Sequence, residues 1–152
     1  MIIGGAYQGK LAYAKETFPD VRWTDGEQCE KEAIFQYRGI FHFHKYIERL
    51  LSEGEDISEL AKQLKEKNPD LILVTDEIGY GIVPMDPFLR EVRETTGRIC
   101  TELAKDAKSV IRVVCGIPTV IKAQVKYFIF DTRSMMILGA KAQIMINGSR
   151  FI

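Results

Sequence analysis

The sequence predicts an α/β fold in which a mostly parallel central sheet carries helices on both faces, and three observations predict it. Short apolar runs alternate along the chain with longer amphipathic segments, the pattern of a layered α/β domain. Ile2-Ile3 runs straight into a glycine-rich loop and then a helix-prone stretch, a strand–loop–helix order. Leu71-Ile72-Leu73-Val74-Thr75 is a continuous β-favouring run flanked by turn residues, as expected of a central strand covered on both faces.

The elements follow in order. After the first strand and loop, residues 10–16 form the first helix, and residues 20–26 give a second short strand with a turn. Residues 27–37 are helix-prone but weakly patterned. Gly39-Ile40-Phe41 is strand-like, and a helix over about 44–51 places Ile47, Leu50 and Leu51 on one face. Asp56 with Glu59 has capping-box spacing, and Ile57, Leu60, Ala61 and Leu64 continue the helical period. Asn68-Pro69 ends that helix, because the residue before proline is pushed out of the helical region. Asp86-Pro87 starts a long helix whose apolar face is Leu89, Val92, Ile99, Leu103 and Ala107, with Gly97 inside it for close packing. Residues 109–114 add a buried strand ended by Cys115-Gly116-Ile117-Pro118. The tail differs in character: runs at 125–130 and 135–138 predict a hairpin, and 143–146 precede an Asn147-Gly148 turn. The expected organisation is one α/β domain over 1–122 and a C-terminal extension over 123–152.

Composition narrows the partners. The 152 residues include 21 Lys plus Arg against 21 Asp plus Glu, so the chain lacks the basic footprint of a nucleic-acid binder. Cys29, Cys100 and Cys115 are odd in number and widely spaced, with neither a C-x-x-C pair nor a disulfide framework, which suits a reducing compartment. Without a leader-like segment or a membrane-length apolar run, the cytoplasm is the expected location.

Chemistry concentrates at strand ends. Gly4-Gly5-Ala6-Tyr7-Gln8-Gly9-Lys10 has the G-x-x-x-x-G-K spacing of a phosphate-cradling loop. Glycines let backbone N–H groups converge on phosphate oxygens, the helix start adds partial positive charge, and Lys10 neutralises the β and γ phosphates. The expected nucleotide site is therefore Gly4, Gly5, Ala6, Tyr7, Gln8, Gly9, Lys10 and Leu11. Leu11 stands where Ser or Thr would hold Mg²⁺, so metal binding is weakened or rests on other groups. Asp76 and Glu77, at the carboxyl end of the central strand, are the candidate metal ligands. Their side chains diverge, and Glu77 has the greater weight as a catalytic residue beside Lys10. His42 and His44 lie two apart on one side of an extended segment, but no third ligand stands at metal spacing, so they are expected to be structural.

The stretch from Asp76 to Lys122, "DEIGYGIVPMDPFLREVRETTGRICTELAKDAKSVIRVVCGIPTVIK", strongly resembles the second half of the bifunctional adenosylcobinamide kinase / adenosylcobinamide-phosphate guanylyltransferase family of cobalamin biosynthesis. That family reads N-E-V-G-x-G-I-V-P, then an arginine-bearing helix with G-x-x-N-Q, then a strand ending near G-x-P and a lysine. Glu77-Ile78-Gly79, Gly81-Ile82-Val83-Pro84, Arg90, Arg93, Gly97, Ala104, Gly116 and Lys122 fall in register. The family's opening G-G-A-x-x-G-K-S is matched by Gly4-Gly5-Ala6 and Gly9-Lys10.

The resemblance implies a P-loop fold that takes GTP or ATP with Mg²⁺, phosphorylates the aminopropanol hydroxyl of adenosylcobinamide and transfers GMP to the resulting phosphate. Its partners are then a nucleotide and a corrinoid, with homo-oligomerisation compatible with it. Leu11 replaces the metal-binding Ser, Asp76 the Asn, and Cys100-Thr101 the Asn-Gln pair. The basic segment that carries the GMP-accepting histidine in relatives is shortened here, and "YRGIFHFHKY" stands in its place. Guanylyl transfer is accordingly the less secure activity. The alternatives are a degenerate nucleotide-binding relative lacking one or both activities, and a P-loop kinase or nucleotidyltransferase acting on another small molecule.

Overall fold

A computed structural model describes residues 1–123 of the chain; the expected hairpin at 125–138 and the 143–148 segment lie outside them. The fold is α/β, as the alternation predicts: β1 (Ile2–Gly4), α1 (Lys10–Thr17), β2 (Trp23–Asp25), α2 (Ala33–Gln36), β3 (Gly39–Phe41), α3 (Phe43–Ser52), α4 (Leu60–Lys67), β4 (Ile72–Asp76), α5 (Pro87–Asp106), β5 (Ser109–Val114) and β6 (Ile117–Ala123). The six strands form one sheet in the order β2-β3-β4-β1-β5-β6, and all neighbours are parallel except β5 and β6.

Strand alternation divides the core. Leu73 turns to one face and joins Ile40, Phe43, Ile47, Leu50, Leu60, Leu64 and Ile99 under α3, α4 and α5. Its neighbour Val74 turns to the other face and packs with Ile2, Val113 and Ala14 of α1. Each fully buried side chain of this size contributes about 1.5–3 kcal/mol. Gly39 is required where β3 passes β2, because a Cβ there would stand 2.6 Å from the Trp23 ring.

Five local expectations are corrected. The 27–37 stretch yields only the single turn α2, since turns occupy 26–29 and the Asn68 amide donates to the carbonyls of Ile34 (2.9 Å) and Tyr37 (2.8 Å), ending the helix. The α4 helix starts at Leu60 because the Asp56 carboxylate accepts the Ser58 N–H (2.9 Å) in a local turn; Ile57 is buried ahead of the helix. In α5, Asp86 caps as expected by accepting the Phe88 N–H at 2.8 Å, but Leu89 is exposed and Thr95 and Thr96 join Val92 and Ile99 on the buried side. Gly97 serves no close packing, because a Cβ there would meet no atom within 4 Å. Finally, residues 115–118 do not simply end β5. Cys115 (φ 50°) and Gly116 (φ 79°) make a two-residue turn, and the chain returns as β6, where Pro118 is tolerated on an edge strand.

Among the described residues, no helix is long and apolar enough to cross a membrane.

Candidate functional site

The site is built where β1 and β4 end side by side, with Gly4 paired to Asp76. Gly4 has φ 153°, and a Cβ on it would lie 2.3 Å from the Val113 carbonyl oxygen, so only glycine lets β1 leave the sheet here. Gly9 (φ 85°) turns the chain into α1, whose first residue is Lys10. The loop between them is anchored on both flanks. The Gly4 carbonyl accepts the Glu77 N–H (2.9 Å), the Gln8 carbonyl accepts the Gly116 N–H (3.0 Å), and the Gln8 side-chain oxygen accepts the Cys115 N–H (2.6 Å). Among the described turn and loop hydrogen bonds, none is donated by the backbone N–H groups of residues 5–9. Ala6 and Tyr7 are exposed at the tip, Tyr7 fully and at φ 58°.

Lys10 is 5% exposed, and its ammonium is held from two sides: it donates to the Gly5 carbonyl (2.5 Å) and pairs with Asp76 Oδ1 (2.7 Å). A buried ammonium in an apolar fold needs such partners. Asp76 is in turn placed by His44, whose Nδ1 accepts the Asp76 N–H at 3.2 Å. That bond requires the tautomer with the proton on Nε2, and Nε2 lies 3.9 Å from Asp76 Oδ2. Burial lowers the His44 pKa despite the nearby Asp76 carboxylate, so the ring is neutral at pH 7.

The two adjacent carboxylates diverge, as expected of neighbours at a strand end, but the one beside Lys10 is Asp76 and not the more heavily weighted Glu77. Asp76 faces the loop lysine, whereas Glu77 Oε2 pairs with Arg112 Nε (2.9 Å), whose guanidinium lies over the Tyr80 ring at 5.4 Å. Leu11 is half-buried in the first turn of α1, belongs to neither apolar cluster and offers no oxygen.

The histidines separate as well. His42 takes a left-handed conformation (φ 54°) that ends the extended segment and opens α3, so the two rings do not share one environment: His44 is buried, and His42 is 44% exposed with Nδ1 3.0 Å from Asp25 Oδ1. Asp25, Glu27 and His42 bring one ligand-type atom each to within 4.8 Å of one another, a grouping made by the parallel pairing that sets Asp25, the last residue of β2, opposite Phe41, the residue before His42. The cysteines are unpaired, and burial raises the Cys100 pKa to about 12, which keeps it a thiol.

A parallel sheet with helices on both faces, opened by a glycine loop and lysine between β1 and α1, defines a P-loop type α/β protein. The chain belongs to the family described as cobinamide kinase / cobinamide phosphate guanyltransferase, whose sequence model matches residues 42–121. It is similar to the bifunctional adenosylcobalamin biosynthesis protein CobU of Escherichia coli (strain K12), with 44% identity over 67 residues, 44% of this chain and 37% of that protein. It is also similar to the protein of the same description from Salmonella typhimurium (strain LT2), with 44% identity over 52 residues, 34% of this chain and 29% of that protein. The matched segments thus span well under two thirds of these curated relatives.

Proposed function

We propose that the chain binds GTP or ATP on the loop from Gly4 to Leu11 and phosphorylates the aminopropanol hydroxyl of adenosylcobinamide. The observation that carries this reading is the Lys10–Asp76 pair, its lysine buried, at the junction of β1 and β4, beside a loop whose residues 5–9 donate none of the described turn and loop hydrogen bonds. In this reading Lys10 exchanges the Gly5 carbonyl for a β or γ phosphate oxygen, a stronger charge-assisted contact. The acceptor oxygen forms a bond to the γ phosphorus, the bond from phosphorus to the β–γ bridging oxygen breaks with its electron pair leaving on the nucleoside diphosphate, and the hydroxyl proton passes to a carboxylate oxygen of Asp76. Asp76 is also the nearest carboxylate for Mg²⁺, which when bound neutralises charge on the β and γ oxygens. Leu11 supplies no second ligand. Glu77 supports the site from the other face by ordering Arg112 and, through its N–H, the Gly4 carbonyl.

Transfer of GMP to the corrinoid phosphate is the second activity the family suggests. His44 is buried and His42 is the more exposed of the two histidines, so a GMP adduct on either would map to His42. We expect none, and a chain that retains nucleotide binding with one or both activities lost is the alternative reading. The reading places the protein in the cytoplasm, and the exposed Tyr80, Ile82, Val83 and Met85 support self-association.

The test is incubation with γ-phosphate-labelled GTP or ATP, Mg²⁺ and adenosylcobinamide. Labelled corrinoid phosphate is the expected product. Nucleotide binding without labelled corrinoid would leave the degenerate binding reading instead.

A further inference from the structure

Beside α5, on the sheet face opposite α1, a cavity of about 250 Å³ runs between Gly97 and Cys100 of the helix and Ile3, Thr75 and Val110 of the strands, and it reaches Asp76 and Glu77 at the strand ends. Three observations there point to a ligand. Gly97 stands in the interior of a 20-residue helix, where glycine costs about 1 kcal/mol relative to alanine, although a Cβ would meet nothing within 4 Å. Packing within the described chain does not explain it. Thr96, which also lines the cavity, is 2% exposed, and its hydroxyl has no hydrogen-bond partner among the described residues, a state that costs about 1–3 kcal/mol. The charged groups around the cavity are all engaged: Asp76 by Lys10, Glu77 by Arg112, Arg93 by the carbonyls of Gly79 and Ile82, and the Met1 ammonium by the Ser109 carbonyl. The Cys100 thiol is protonated. A cavity with apolar walls, one orphan hydroxyl buried within its wall and no free charge suits a compact neutral group with few polar atoms.

We propose that this cavity receives the hydroxyalkyl amide arm of the phosphoryl acceptor. Its methyl and methylene groups lie against Ile3, Val110 and the bare backbone at Gly97, its amide satisfies Thr96 after rotation of that side chain, and its hydroxyl points to Asp76. The inference rests on the kinase reading for the identity of the acceptor, and on the cavity alone for the neutral, short and mostly apolar character of the arm. A charged amine or a phosphate in the same place would find only counter-ions already engaged within the protein, which is why the amide rather than the free amino alcohol is the expected ligand.

The probe is N-(2-hydroxypropyl)acetamide, the isolated neutral arm, titrated against the whole chain while amide NMR resonances are followed. Saturable changes centred on Ile3, Thr75, Thr96, Gly97 and Val110 are expected. They should vanish in Gly97→Leu, whose side chain reaches across the cavity and whose helix gains stability. Thr96→Val keeps the shape, removes the orphan hydroxyl, and should raise Tm while weakening the probe several-fold. No saturable change at these residues, or an unchanged titration in Gly97→Leu, overturns the proposal. In the kinase assay Gly97→Leu should raise KM for adenosylcobinamide about ten-fold or more, equivalent to roughly 1.4 kcal/mol, with nucleotide affinity unchanged. An unchanged KM overturns the cavity assignment and leaves the kinase reading standing. Probe binding in a chain that phosphorylates no corrinoid overturns the kinase reading and leaves the cavity as a site for a neutral alcohol.

Discussion

The β3–β4 side of the sheet and the outer strand β6 on the other side are made from the same kinds of residue and end in opposite states. Ile40 and Leu73 are 0% and 4% exposed, whereas Ile117 and Ile121 are 68% and 57% exposed. The difference is supplied by the helices: α3, α4 and α5 bring Phe43, Ile47, Leu50, Leu60, Leu64 and Ile99 over the first side, and no described element covers β6. An apolar run therefore establishes that a strand forms. Its burial depends on what amphipathic surface the rest of the chain can lay across it.

The largest test of this contrast compares truncations on the two sides. Phe43→Ala or Ile47→Ala should cost about 2–5 kcal/mol, the transfer term plus the cavity left in a packed cluster. Ile117→Ala and Ile121→Ala should stay within about 0.5 kcal/mol, as surface substitutions do. Urea denaturation of the four variants measures the gap. Equal losses on both sides would mean that β6 is covered in solution and that the contrast belongs to the described residues alone.

The loop lies between the two sides, tied to β4 through Gly4 and to the β5–β6 turn through Gln8, and Lys10 reports which tie matters for binding. Lys10→Ala should weaken GTP and ATP by about ten-fold or more, from a charge-assisted contact of roughly 1.5–3 kcal/mol. Calorimetric titration decides it. An equal affinity in variant and parent would move the nucleotide away from the loop.

Legibility in the sequence followed the same division. The loop, Leu71 to Thr75, the Asp86-Pro87 helix start and the parallel sheet were readable, because each rests on local pattern or on a backbone rule. What could not be read was decided by partners distant in sequence. Asn68 truncates α2 from 31 residues away, His44 locates Asp76 across 32 residues, and strand alternation alone could not say which of Asp76 and Glu77 faces Lys10. The β6 strand was missed because its exposed residues have no burial pattern to follow, and its proline argued against a strand unless the edge position was known.

His44 sharpens the comparison by pH, since it is a titratable group on the covered side. Burial holds its folded pKa below the ordinary value of 6.5, so between the two values the unfolded chain binds the extra proton. The stability it contributes is fully present above about pH 6.5 and is lost as pH falls below it, with a slope of at most about 1.4 kcal/mol per pH unit. Denaturation midpoints at pH 7.5 and 5.5 should separate in the native chain and move closer together in His44→Asn. An unchanged separation in the variant would assign the acid sensitivity to the carboxylate pairs instead.

The smallest expected effect concerns Leu11, which faces neither side's core. If it stays outside both clusters, Leu11→Ser should cost less than about 1 kcal/mol, near the difference in helix propensity between the two residues. Its hydroxyl would stand in the first turn of α1, one residue beyond the lysine that binds Asp76, where the loop's other side-chain oxygens are Gln8 Oε1, engaged by the Cys115 N–H, and the fully exposed Tyr7 hydroxyl. One added ligand of this kind should strengthen Mg²⁺-dependent GTP binding about three- to ten-fold, on the order of 0.5–1.5 kcal/mol, and leave metal-free binding unchanged. Thermal unfolding beside titrations with and without Mg²⁺ separates the outcomes. A loss of several kcal/mol would show that Leu11 is a core residue in solution. A folded serine variant with no added metal dependence would show that the position of Asp76, held to Lys10 at 2.7 Å, rather than the missing hydroxyl, limits metal binding at this loop.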